Sequence, residues 1–282
     1  MRRARTAAMT GAALPFASLP MYDVSQLSAA WDRLWELVRA ELAARGIEAA
    51  LLLRRDAPHS RLWRDPDLLL GQTCGWPLVS QLGKAVVPFA RFDFGLDTRK
   101  PGDYFSVFIR PHSAAPAMTL KPRELAPIFV DAATRIAVNG FESQSGYRVL
   151  GECLLEPMSI GRDRVVTTGG HLASIRAVAR GEADLAAIDA TTWQLALEHE
   201  PVAQDVAVVA RSADAPGLPL ITSARYADKA PILLDCLTAA AEKLGEADRA
   251  ALHLRGVVSA FRADYEVLMR PPLGNFRSGP VP

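Results

Sequence analysis

Cysteine is scarce: Cys74, Cys153 and Cys236 are the only three in 282 residues. An odd count with no CxxC spacing excludes a disulfide framework and a thiolate zinc site. The five histidines, His59, His112, His171, His199 and His253, show no HxxxH or HxH spacing, so no preformed transition-metal site is expected. Charge of one sign is not in excess either. Lys+Arg is 32 and Asp+Glu is 31, a formal net charge of +1. That balance argues against nucleic acid as a partner and against an acidic solvating tail. Long hydrophobic runs are missing: the longest uncharged stretch, residues 6–22, is broken by Gly11, Pro15 and Pro20 and makes a poor membrane span. GxSxG, HExxH, GxxxxGK[ST] and GxGxxG are all absent, as is any repeat of 20–50 residues.

What the chain does have is a core. Half the residues are hydrophobic and 22% are charged, enough for two lobes of about 100–150 residues each. Arg2, Arg3 and Arg5 precede a mildly apolar stretch ending near Ala17. It reads as a weak secretory signal or, better, as an uncleaved or mis-annotated leader, because Thr10, Gly11 and Pro15 interrupt the apolar part.

Periodicity predicts short strands alternating with helices. Strands are expected over residues 16–22, 49–53, 68–70, 85–90, 104–110, 135–138, 164–167, 185–188, 206–210 and 220–222. Helices are expected over residues 27–42, 146–155, 171–180, 191–198, 229–244 and 257–269. In the first helix Leu27, Trp31, Leu34, Trp35, Val38 and Leu42 share one face, and Gly46 stands where a C-terminal cap belongs. No Gly/Ser linker separates two lobes, so the chain should cross between them through strands, near residues 106–110 and 208–212. One lobe would then be discontinuous, residues 14–107 with 208–282, and residues 108–207 would form an inserted second lobe.

Polar loops follow several of these strands, where open α/β sheets bind ligands. Ser143-Gln144-Ser145-Gly146-Tyr147 combines hydroxyls, a glycine and an expected helix start, which makes an anion cradle or a simple cap. Thr167-Thr168-Gly169-Gly170-His171 repeats the arrangement. At a helix start the dipole should depress the His171 pKa and leave a neutral N–H donor. Asp189 either accepts a proton shared with a ligand or caps the next helix. Gln72-Thr73-Cys74-Gly75 has the same form in the first lobe, and Tyr22 and Tyr104 can close over a ligand from that side.

Together these residues resemble the phosphate/phosphite/phosphonate-type periplasmic binding proteins of ABC importers. The likeness rests on residues 17–23, Gln72-Thr73-Cys74-Gly75, Gly102-Asp103-Tyr104-Phe105-Ser106, Ser143-Gln144-Ser145-Gly146-Tyr147, Thr168-Gly169-Gly170-His171 and residues 181–189, and it spans roughly residues 16–225. The resemblance implies an α/β, two-lobed type 2 periplasmic-binding-protein fold. Its two mixed, mainly parallel sheets would be joined by two hinge strands and close on a small oxyanion. It implies ligand binding by Tyr22, Thr73, Tyr104, Ser143, Gln144, Ser145, Thr168, His171 and Asp189. It implies an ABC permease as partner, a monomer, and no cofactor, catalysis or metal. A ligand sensor or delivery protein of the same fold is the alternative, with an enzyme on a small phosphorylated or acidic metabolite behind it. Location stays open between the periplasm, by resemblance, and the cytoplasm, by the poor signal.

Overall fold

The computed structural model describes residues 14–154 and 161–269. The leader and the Pro271-Pro272 tail segment lie outside the described residues. Two five-stranded sheets organise the chain. The first takes β1 (Phe16–Ser18), β2 (Leu68–Gln72), β3 (Val86–Asp93), β11 (Pro219–Ser223) and β12 (Gly256–Ser259), in the order β1-β2-β11-β3-β12. The second takes β5 (Ser106–Pro111), β6 (Ile136–Val138), β7 (Val165–Thr167), β8 (Leu185–Asp189) and β9 (Val206–Arg211), in the order β7-β6-β8-β5-β9. Between the sheets β4 (Asp103–Tyr104) and β10 (Ala215–Pro216) form an antiparallel ribbon.

Helices cover the sheets: α1 (Ser28–Ala43), α2 (His59–Leu62), α3 (Gly75–Pro77), α4 (Ala126–Val130), α5 (His171–Ala179), α6 (Ala190–His199), α7 (Ala230–Lys243) and α8 (Glu246–Ala251). The apolar stripe of α1 packs with Leu233, Cys236, Leu237 and Ala240 of α7 in one core. Trp31 and Trp35 bury their rings there. Each indole N–H still finds a carbonyl, Tyr22 at 3.2 Å and Ala50 at 3.1 Å, so no donor is stranded. Gly46 ends the helix at φ 73°, the left-handed conformation glycine adopts most freely.

The inner strands β6 and β8 of the second sheet are buried on both faces, and period-2 alternation distributes their side chains. Leu185 and Ala187 of β8 join Phe108, Phe129 and Leu150 on one side. Ala186 and Ile188 join Val107, Ile109, Ile175 and Val178 on the other. These unbroken apolar runs are why the strands were legible in the sequence.

Several expectations are corrected. The sheets are mixed but not mainly parallel. β1 pairs in parallel with β2, and β6 with β7 and β8, whereas β11 against β2 and β3, β12 against β3, and β5 against β8 and β9 are antiparallel. The chain enters and leaves the inserted region, and each passage reverses its direction. Residues 106–110 and 208–212 are not crossings, since β5 and β9 lie in the second sheet from end to end. Boundaries at 107/108 and 207/208 would cut both strands. The passage itself is the β4–β10 ribbon.

Residues 49–53 form no strand. Leu51 and Leu52 are each 68% exposed, while the segment leans on β1 through Ala50 N–H to Pro15 O at 2.8 Å. The backbone bends at Leu51-Leu52, so neither side chain reaches a core. The first strand stops at Ser18, before Pro20. Residues 257–269 divide into β12 and a 3₁₀ helix, Arg262–Met269, because three of the four residues of β12 are half-buried and its ladder with β3 overrides helical spacing. Residues 146–155 hold a 3₁₀ helix, Arg148–Cys153.

Candidate functional site

The second-sheet strands β6, β7 and β8 run parallel, so the loops after them gather at one edge, and antiparallel β5 brings Ser106 opposite Asp189 there. From the first sheet, the segment after β1 contributes Tyr22 and the turn after β2 contributes Thr73 and Cys74. A cavity of about 680 Å³ opens between the two sets of loops. Tyr22, Ser143, Thr168 and His171 line it; Tyr104, Ser145 and Asp189 form a buried polar cluster beside them. Gln144 presents its backbone N–H to the Cys74 thiol. Thr73 is fully buried and does not line the cavity; its hydroxyl lies 3.4 Å from the Cys74 carbonyl.

The serine loop does not start an α-helix. It is a series of turns in which Ser143 Oγ accepts from the Gly146 N–H at 3.0 Å, so Ser143 holds the loop's own shape. Thr168 does similar work, with its hydroxyl 2.7 Å from Ser174 Oγ and 3.1 Å from the Val138 carbonyl. The cradle that does exist is at α5. Its N-cap is Gly170, with no side-chain cap bond, so the first-turn N–H groups of α5 have neither a capping side chain nor an intrahelical partner. Gly169, Gly170, Leu172 and Ala173 all line the cavity. Nothing stands within 4 Å of where a Cβ would sit on either glycine, so backbone and ligand can approach closely.

Beside that helix end, His171 Nε2 lies 2.9 Å from Ser145 Oγ and 3.4 Å from Asn139 Nδ2. Burial lowers the His171 pKa to about 4, so the ring is neutral as expected, but the chief cause is desolvation. With the Asn139 amide and the serine hydroxyl turned to it, Nε2 is the accepting nitrogen in this state. Asn139 had no signal in the sequence beyond its place after β6. Gly146 makes room for it, since a Cβ there would stand 1.9 Å from Asn139 Oδ1.

Asp189 is 2% exposed and caps α6: Oδ1 accepts from the Thr191 N–H at 2.9 Å and the Thr192 N–H at 3.1 Å. Oδ2 accepts from the Tyr22 hydroxyl at 3.0 Å, a bond that joins the two sets of loops. Burial raises the Asp189 pKa to about 6 in spite of three donors. The same desolvation, with Asp189 close by, pushes the Tyr22 and Tyr104 phenols well up, so both remain protonated donors. A second clasp spans the gap further out. The Arg148 guanidinium lies 3.4 Å from the centre of the Trp76 ring and donates to the Leu268 carbonyl at 3.0 Å.

The two helix ends at this edge therefore differ. The end of α6 is closed by a carboxylate and the end of α5 is open. Arg176 is the single Lys or Arg among the cavity's lining residues, and its partner is Glu200. An anion here would be met by hydroxyls, an amide and helix N–H groups rather than by cationic side chains. Among the described residues, no cluster of three His, Cys, Asp or Glu side chains suits a metal, and no helix is long and apolar enough to cross a membrane.

A family model described as "ABC transporter, phosphonate, periplasmic substrate-binding protein" matches residues 16–265. No curated protein matches the chain. Among solved structures, a binding protein component of an ABC phosphonate transporter from Pseudomonas aeruginosa superposes with TM-score 0.67 at 14% identity, covering 91% of this chain and 84% of that one. PhnD1 from Prochlorococcus marinus, in complex with methylphosphonate, gives TM-score 0.66 at 15% identity over 90% of this chain and 95% of its own. A Xanthomonas citri protein bound to ATP gives 0.60 at 15% identity, over 92% and 99%. At these identities the likeness is one of fold, the two-lobed type 2 periplasmic binding fold.

Proposed function

This chain belongs to the phosphonate-type periplasmic substrate-binding proteins of ABC transporters, and from that premise we propose that it captures a phosphonate-like oxyanion at the open N-terminus of α5, between two lobes that close on it. One observation carries the reading: α5 has no side-chain cap and its first turn faces the cavity, whereas Asp189 closes the neighbouring α6. The helix N–H groups hold the ligand's oxygens, and Ser145, Asn139 and His171 flank them. Ser143, Gln144 and Thr168 keep the loops in shape, and Thr73 is buried outside the cavity lining. Tyr22 and Tyr104 approach from the first lobe. The lobes are the two sheets with their helices, turning about the β4–β10 ribbon.

Delivery to a permease fits this architecture better than turnover. Ser145 and His171 are at nucleophile–base distance, but Nε2 is shared with Asn139, and among the described residues no carboxylate hydrogen-bonds the ring. Calorimetric titration with methylphosphonate and with sulfate tests the proposal. Saturable binding of methylphosphonate that Ser145→Ala weakens is the expected result. Absence of binding by either anion, or identical affinities in wild type and variant, would refute the assignment.

A further inference from the structure

The cavity is much larger than the anion it is proposed to hold. At about 30 Å³ per water-sized group, a phosphonate with a single methyl fills on the order of 150 Å³. The cavity measures about 680 Å³. Beyond the cradle, Met21, Val24, Trp63, Pro77 and Leu195 form an apolar stretch of wall among polar neighbours such as Gln26, Thr192 and His199. Trp63 shows the cavity an indole with no free donor, since its N–H is already given to the Gln72 carbonyl at 2.8 Å.

The charged groups around this space are mostly committed elsewhere. Asp23 is held by Arg55 at 2.5 Å and accepts from the Ser28 hydroxyl at 2.7 Å. Glu200 is paired with Arg176. Glu142 lines the cavity from an exposed position. An ammonium group on the ligand would find no buried carboxylate without a partner. A neutral hydrocarbon would find the apolar stretch of Met21, Val24, Trp63, Pro77 and Leu195, which loses water when it enters.

Resting on the oxyanion reading above, we infer that the ligand is an organophosphonate or phosphoester whose substituent is an uncharged group of aromatic size, seated between α2 and the segment after β1 on one side and α5 and α6 on the other. His59, at the exposed margin, lies tilted beside Trp63, with ring centroids 6.1 Å apart and an interplanar angle of 39°, and extends the aromatic wall outward.

The test is a calorimetric series on the wild-type protein with methylphosphonate, 2-aminoethylphosphonate and benzylphosphonate. All three carry the same head, so the series separates the substituent from the cradle. Burying one phenyl ring predicts that benzylphosphonate binds ten- to a hundredfold tighter than methylphosphonate. The aminoethyl compound should gain no more than about threefold, the scale of a contact with an exposed carboxylate. Val24→Trp, which fills the apolar space from the segment after β1, should remove the benzyl advantage and leave methylphosphonate within about twofold. Equal affinities for methyl and benzyl, or an aminoethyl ligand tighter than benzyl, would overturn the inference and leave the oxyanion reading standing. Failure of all three to bind would overturn both. The wild-type series decides the matter even if Val24→Trp does not fold.

Discussion

Replacing Asp189 by asparagine should reveal a pH dependence of stability that the wild-type protein hides. Asp189 has a folded pKa of about 6, against an ordinary carboxyl near 3.9. The folded state therefore binds its proton more tightly than the unfolded one. That contribution is fully present below about pH 4 and is lost as pH rises through 6. Two units at about 1.4 kcal/mol each come to roughly 3 kcal/mol. His171 works in the opposite direction. Its folded pKa of about 4 lies below the usual imidazole value near 6.5. Its contribution is present above about pH 6.5 and is lost as pH falls through 4, again by roughly 3 kcal/mol. Between pH 4 and 6.5 the two nearly cancel.

Asparagine keeps an oxygen for the Thr191 and Thr192 N–H groups, so the cap of α6 survives. The assay is urea unfolding at half-unit steps from pH 4 to 7, read as the difference between variant and wild type so that the other carboxylates cancel. Stability of Asp189→Asn relative to wild type should rise by about 2–3 kcal/mol across that interval. His171→Gln should show the mirror image, falling relative to wild type by a similar amount. A flat difference for Asp189→Asn would mean that the carboxyl titrates alike in both states, and would refute the burial argument for the whole cluster.

Ser145→Ala, which removes the hydroxyl 2.9 Å from His171 Nε2, should weaken methylphosphonate binding about ten- to a hundredfold in a calorimetric titration. Tyr22→Phe leaves the buried Asp189 carboxylate one donor short; denaturation at pH 7 should show a loss of about 1–3 kcal/mol, which shrinks near pH 4 where the carboxyl is protonated. Gly217→Ala would set a Cβ 2.2 Å from the Gly102 carbonyl oxygen in the β4–β10 connection, a backbone contact that cannot yield; chemical denaturation should show a loss of about 1–3 kcal/mol, and an unchanged midpoint would contradict the geometry. Saturating ligand should shrink the scattering radius as the lobes close, and a superimposable profile with and without ligand would exclude hinge closure.

The sequence by itself determined the buried strands and the covering helices. Runs such as Leu68-Leu69-Leu70 and residues 185–188 are apolar on both faces, and only a layered α/β core accommodates them. The stripe of α1 was equally plain, since Trp31, Leu34, Trp35 and Val38 repeat at helical spacing. The loops carrying His171 and Asp189 were legible because each lies between an evident strand and an evident helix. Their roles were not. Whether a helix start is open to a ligand depends on which side chain caps it. Asp189 and Gly170 occupy equivalent places in the sequence pattern, yet one closes α6 and the other leaves α5 open. Asn139 was invisible because its importance comes from facing His171 across 32 residues, through room that Gly146 leaves. Strand direction, the place of the crossing and the Tyr22–Asp189 bond were decided only by the tertiary structure. Each depends on contacts between segments distant in the chain, and local periodicity reports which side of a segment is buried but not what it is buried against.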